Sequence, residues 1–234
     1  MVIYWLSVIM YLLVVAVNGL ANALPINGQT TGDIANRISV LFTPAGYVFS
    51  IWGLIYILLA VWLVRQRKLG DIFQDTKWLF IISCVLNIGW ILLWHYNVFL
   101  LTVPVMLGLL VTLIALYLRI KTSNFTLLDR LPFSVYLGWI SVATIANISY
   151  VLVDQGWDGF GISPVTWTIV MLVVATVLGV LFRLRENDRA YVLVFIWAFI
   201  GIAVRQWDDE RIISYASLIL VVLMLGSLFV KNRR

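Results

Sequence analysis

Apolar residues run along this chain in long stretches, and polar residues collect in the short gaps between them. Eight stretches predict membrane helices, at residues 2–20, 47–64, 78–94, 98–118, 131–153, 165–184, 190–206 and 212–230. Roughly 20 mainly apolar residues carry a helix across a hydrocarbon core about 30 Å thick, and the seventh stretch is the tightest fit to that length. The two-residue alternation of a membrane β-barrel is missing. The predicted fold class is all-α, a polytopic membrane helical bundle of about eight transmembrane helices.

Composition and charge add an orientation. Of the 234 residues 63% are hydrophobic and 12% charged, and the mean hydropathy is +1.02; soluble domains are about 45–50% apolar and about 25% charged. Thirteen of the sixteen Lys and Arg residues fall on one side of the predicted spans: Arg65, Arg67, Lys68, Lys77, Arg119, Lys121, Arg130, Arg183, Arg185, Arg189, Lys231, Arg233 and Arg234. Only Arg37, Arg205 and Arg211 fall on the other. Cytoplasmic loops carry such an excess, so both termini are predicted cytoplasmic, in a multi-pass protein of the cell membrane. The pI near 9.5 then reflects orientation and contact with anionic membrane lipid, and nucleic acid is not expected as a partner. Asn124-Phe125-Thr126 has the form of a glycosylation sequon but sits in a predicted cytoplasmic loop. Ala21-Asn22-Ala23 has the form of a signal cleavage site; no Lys or Arg precedes the apolar run, which is long for a signal, so the first helix is read as uncleaved.

Candidate chemistry lies in the polar and aromatic residues inside the spans. Asn87 with Trp90, and Trp139 with Asn147, stand deep in two of them. A bilayer offers no water to an amide, so each must meet a partner helix, a ligand or an enclosed polar cavity. Eleven Trp are accounted for mostly by the aromatic belt at the membrane surfaces. Trp5, Trp62, Trp78, Trp94, Trp157, Trp167 and Trp207 fit that position, whereas Trp52, Trp90, Trp139 and Trp197 fall near mid-span. Helical spacing groups Phe49, Trp52 and Tyr56 in one stripe, Ser83, Asn87, Trp90 and Trp94 in a second, and Tyr136, Trp139, Ala143, Asn147 and Tyr150 in a third. Two readings stay open: a cavity for a flat apolar ligand held by a few polar contacts, or interlocked packing with interhelical amide hydrogen bonds.

Other chemistry is thinly provided for. Cys84 is the single cysteine and His95 the single histidine, so no disulfide within the chain and no metal site is expected. His95 is read as an interfacial residue at the end of its span. No nucleophile stands with a base, no carboxylates are paired, and no catalytic constellation is visible.

The same residues resemble the translocator protein family, the tryptophan-rich sensory proteins (TspO). That family's second helix is led by Pro-Pro-Gly-Trp-x-Phe and followed by Trp-x-x-Leu-Tyr; here Pro44-Ala45-Gly46-Tyr47-Val48-Phe49 leads to Trp52-Gly53-Leu54-Ile55-Tyr56. Its third helix carries Leu-Asn with Trp three residues on, matched by Leu86-Asn87 and Trp90. Its fifth carries Tyr-Leu-x-Trp and an Asn eight residues later, matched by Tyr136-Leu137-Gly138-Trp139 and Asn147. Tyr47 and Ala45 depart from the motif, and Phe49 to Trp52 is one residue shorter, about 100° of helix rotation. The family has five spans, so residues 1–158 are expected to form a TspO-like core and 159–234 three added helices with a basic tail.

The resemblance implies a membrane sensor or carrier for a hydrophobic planar molecule, a porphyrin or other tetrapyrrole or a sterol-like ligand, with no required cofactor. The expected ligand-binding residues are Phe49, Trp52, Tyr56, Asn87, Trp90, Trp139, Ala143 and Asn147. The loop over residues 22–45 is a candidate lid or a plain surface loop, with a short helix from Thr31 to Leu41 pairing Asp33 with Arg37 at i,i+4. Homo-oligomers are a candidate state. The alternative is a secondary transporter of a small solute, although no ionisable residue falls near mid-span to carry a coupling ion.

Overall fold

The structure is a computed structural model that describes residues 2–69, 74–122 and 126–230. Lys231, Arg233 and Arg234 of the basic tail, Asn124 and Phe125 of the sequon, and the side chain of Lys68 lie outside the described residues. Among the described residues nine α-helices form and no strand: α1 (Val2–Ala23), α2 (Thr31–Arg37), α3 (Ile51–Leu69), α4 (Gln74–His95), α5 (Phe99–Thr122), α6 (Leu127–Asp154), α7 (Pro164–Glu186), α8 (Arg189–Arg205) and α9 (Arg211–Phe229). Seven segments are long and apolar enough to cross a membrane: α1, Gly46–Arg67, Thr76–His95, Phe99–Lys121, α6, α7 and α9. The chain is a multi-pass membrane helical bundle. α8, at 17 residues, stands at the lower end of the roughly 17–25 residues that span a bilayer.

Backbone contacts divide the chain into two compact units, Met1–Arg37 with Ile51–Ile140, and Ile38–Ser50 with Ser141–Arg234. In the first unit α4 is the hub against which α1, α2 and α5 pack, and α3 lies against α1. The first half of α6 joins α3 through large side chains. Trp62 of α3 sits between Phe80 at 5.2 Å and Phe133 at 4.8 Å. One turn further along α3, Arg65 Nε meets Asp129 at 3.0 Å. Asp129 also accepts from the Thr126 backbone N–H at 3.0 Å, so one carboxylate both ties α6 to α3 and caps the start of α6.

The second unit is built on α7, α8 and α9, each packed on the other two. Ser163 caps α7 by accepting from Thr166 N at 3.1 Å, and Pro164 takes the first helical position, where a missing N–H costs nothing. The tight α7–α8 turn needs a left-handed residue, supplied by Asn187 at φ 52°, and Asp188 then caps α8. Arg183 is buried and donates to the carbonyls of Leu228 and Val230 at 3.4 and 3.3 Å, a cation placed at the negative end of α9. Residues 44–48 lie against α8: Ala45 N–H donates to Gly201 O at 3.1 Å. A Cβ at Gly201 would collide with Val48 and come within 3.2 Å of Pro44, so only glycine permits this approach.

Two sequence expectations change here. Trp62 and Trp94, placed in the aromatic belt, are 0% and 4% exposed, because neighbouring aromatic rings cover each of them; Trp5, Trp78 and Trp207 are exposed as a belt requires. His95, expected at the interface, is fully buried. Its Nε2 lies 3.1 Å from Thr31 Oγ1 and its Nδ1 3.1 Å from Ile26 O. Only an N–H can meet a carbonyl, so Nδ1 carries the proton.

Candidate functional site

In the first unit an amide network runs through the helices. Asn18 Nδ2 donates to Asn87 Oδ1 at 2.9 Å and to Val14 O of its own helix at 2.9 Å. Asn87 Nδ2 donates to the Tyr136 hydroxyl at 3.0 Å. Asn18, Asn87 and Tyr136 are all buried, and the network joins α1, α4 and α6 through groups that the bilayer leaves no other way to satisfy.

Aromatic rings gather beside it. Trp52 stacks on Tyr56 at 5.7 Å with planes 20° apart. Edge-on to Trp52 stand Tyr136 at 5.7 Å and Trp139 at 6.3 Å. Such offset and T-shaped pairs suit the ring quadrupoles. The Tyr56 hydroxyl is buried and has no hydrogen-bond partner among the described residues, an uncommon state for a buried polar atom. The structure thus brings Trp52, Tyr56 and Trp139 together, with Asn87 joined through Tyr136. Trp90 stacks on Trp94 at 5.3 Å. Phe49, Ala143 and Asn147 belong to the second unit, where Asn147 is buried and the other two are half-buried.

Phe49 does not continue the Trp52–Tyr56 stripe. It lies in a 3₁₀ turn, Gly46–Ser50, and the α-helix begins only at Ile51. A 3₁₀ turn rotates about 120° per residue rather than about 100°, which breaks the helical phase. Asn18 and Tyr136 are absent from the expected binding set. Asn18 carried the same signal as Asn87, an amide inside an apolar run.

A family model described as TSPO-like protein matches residues 4–230. The chain belongs to that family. The matched range extends through α7, α8 and α9, so the TSPO-like family model includes the helices that follow residue 158. No curated protein and no solved structure matches the chain.

The 22–45 loop of this TSPO-like chain holds a shorter helix than expected, ending at Arg37 rather than Leu41. Asp33 and Arg37 do different work. Thr30 N–H donates to Asp33 Oδ2 at 2.9 Å and Asp33 N–H to Thr30 Oγ1 at 3.1 Å, a reciprocal capping box. Hydrogen bonds to the carboxylate from Thr30, from its backbone N–H first and then from its side chain, hold the Asp33 carboxyl below its ordinary value. Arg37 donates to Asn97 Oδ1 at 2.9 Å and to Gln29 Oε1. Asn27 Nδ2 donates to His95 O at 3.0 Å and Trp94 Nε1 to Thr31 O at 3.4 Å. The loop is therefore fastened by side chains to the C-terminal end of α4. Among the described residues no three His, Cys, Asp or Glu gather to hold a metal ion.

Proposed function

We propose that this membrane protein binds a hydrophobic planar molecule, of porphyrin or sterol-like shape, among Trp52, Tyr56, Asn87 and Trp139, as a sensor or carrier. The observation that carries this is the Tyr56 hydroxyl, a buried hydrogen-bonding group without a partner among the described residues, beside a cluster of aromatic rings. A ligand that laid an apolar face on Trp52 and Trp139 and gave a polar edge to Tyr56 would satisfy it. The fastened loop over residues 26–37 supports a lid that limits exchange. Trp90 of the same unit completes the proposed binding set.

The proposed setting is the cell membrane, with eight crossings that include α8 and with the basic loops cytoplasmic. Lipid is the surrounding partner, and a second copy of the chain a further one.

Titration of purified protein with protoporphyrin IX, read by tryptophan quenching and by thermal shift, tests the reading. Saturable quenching is expected, with affinity about tenfold weaker in Tyr56→Phe, one hydrogen bond to a desolvated ligand being worth that much. Trp139→Ala is expected to lose most of the quenching. Equal affinity and quenching in the unmodified protein and both variants would remove this site.

A further inference from the structure

A second hollow lies wholly within the second unit, apart from the aromatic cluster around Trp52. Its volume is about 170 Å³, and it is formed by residues 39–42, the last turns of α6, the loop after α6 and the first turns of α7. That is near the size of a cavity that holds benzene, about 150 Å³. Apolar side chains supply most of the wall, with Phe42, Leu152 and Met171 among them.

Trp157 and Trp167 stand together there at 5.3 Å. Trp167 is fixed, because its Nε1 donates to Gly159 O at 2.8 Å. Gly159, at φ 66°, comes close enough that a Cβ would sit 3.2 Å from that indole.

Three side-chain donors in the wall of this hollow are engaged within the protein. The Ser149 hydroxyl donates to Ile145 O and the Thr168 hydroxyl to Pro164 O, both at 2.8 Å, so each has acceptor electrons left for a ligand. With the Trp167 N–H also engaged, three side-chain donors are already turned to the protein's own carbonyls. Asp158 is the charged residue in the lining, and no Lys or Arg joins it. One of its oxygens accepts from Phe160 N–H at 2.9 Å, which aims the carboxylate. α6 ends here and α7 begins, so their end charges oppose and Asp158 sets the sign of the field. Asp154, Asp208, Asp209 and Glu210, set against Arg205 and Arg211, leave the polar segments at this end of the unit net negative.

We propose that this hollow is a binding site for an organic ammonium group with a small apolar body. The indole faces attract a cation through their quadrupole, Trp more than other rings, and Asp158 supplies the counter-charge while the alkyl or aryl part fills the apolar wall. Free amines and the choline or ethanolamine headgroup of a lipid share this chemistry.

Calorimetric titration of the purified full chain with benzyltrimethylammonium, against neopentylbenzene as the uncharged isostere, is the decisive comparison. One saturable site is expected, with the cation bound at least about tenfold tighter than the isostere. Asp158→Asn keeps an oxygen for the Phe160 N–H but removes the charge, and is expected to abolish that preference. Trp157→Leu, away from the capping contact, is expected to weaken cation binding several-fold and serves if the first variant fails to fold. Dihexanoyl phosphatidylcholine set against dihexanoyl phosphatidylglycerol, each in competition with the cation, separates a lipid headgroup from a free amine: displacement by the choline lipid alone assigns the headgroup, and displacement by neither assigns the free amine. No binding of the cation, or no preference for it over the isostere in the unmodified protein, overturns the proposal whatever the variants do.

Discussion

At the residue scale the positions that matter most are those where one atom more or less cannot be absorbed. Gly201 is one, since a methyl group there collides with Val48. Gly201→Ala should lower stability by about 1–3 kcal/mol, the usual cost of overpacking, seen as an earlier melting transition in detergent. The Asn18–Asn87 pair is another. Asn18→Ala removes one interhelical hydrogen bond and Asn87→Ala two, the second being the one to Tyr136, and a double-mutant cycle on the pair should give a coupling of about 1 kcal/mol; strictly additive effects would mean the two amides act independently. Asn87 was legible in the sequence because an amide inside an apolar run has few ways to be satisfied. Trp62 was not, since position along a span does not reveal which face of the helix a residue occupies. The hollow around Trp157 and Trp167 was hidden for another reason: its walls come from residues 39–42 and 149–171, which only the fold brings together.

At the element scale the short helix α2 and the α3–α6 pair carry separate predictions. Asp33 caps α2 with its carboxyl held below the ordinary value, so its contribution is present above the unfolded value of about 3.9 and is lost as the pH falls through the lower folded value. Hydrogen exchange over residues 33–37, corrected for intrinsic rate, should therefore rise on acidification, and Asp33→Asn should flatten that dependence. Asp129 binds Arg65 and starts α6. Asp129→Ala removes both at once and should cost about 1–3 kcal/mol, more than Arg65→Ala, which leaves the cap in place. Helix existence followed from apolar length alone. Where α3 begins did not, because the 3₁₀ turn at Gly46–Ser50 has the same apolar composition as the helix it precedes.

At the scale of the whole molecule the count of crossings turns on α8. A bilayer-spanning α8 puts the turns at its two ends on opposite sides, so in a background with Cys84 replaced by Ala, Arg185→Cys and Asp209→Cys should label from opposite faces. Labelling from one face would place α8 within or along one surface and reduce the crossings to seven. The polytopic bundle itself was readable because most of the hydrophobic runs reach the length at which only a membrane or a large core can cover them. The division of the backbone into two units was not readable, since residues 38–50 join helices that follow them by a hundred positions. The doubled bond of Asn18 bears on how such a chain is assembled. The first helix enters the bilayer long before the fourth has been synthesised, and Asn87 lies 69 positions further on. Because the same amide also reaches Val14 in its own helix, it enters lipid already partnered. Its bond to Asn87 then acts as a late-closing clasp, and biogenesis of the first helix does not have to wait for it.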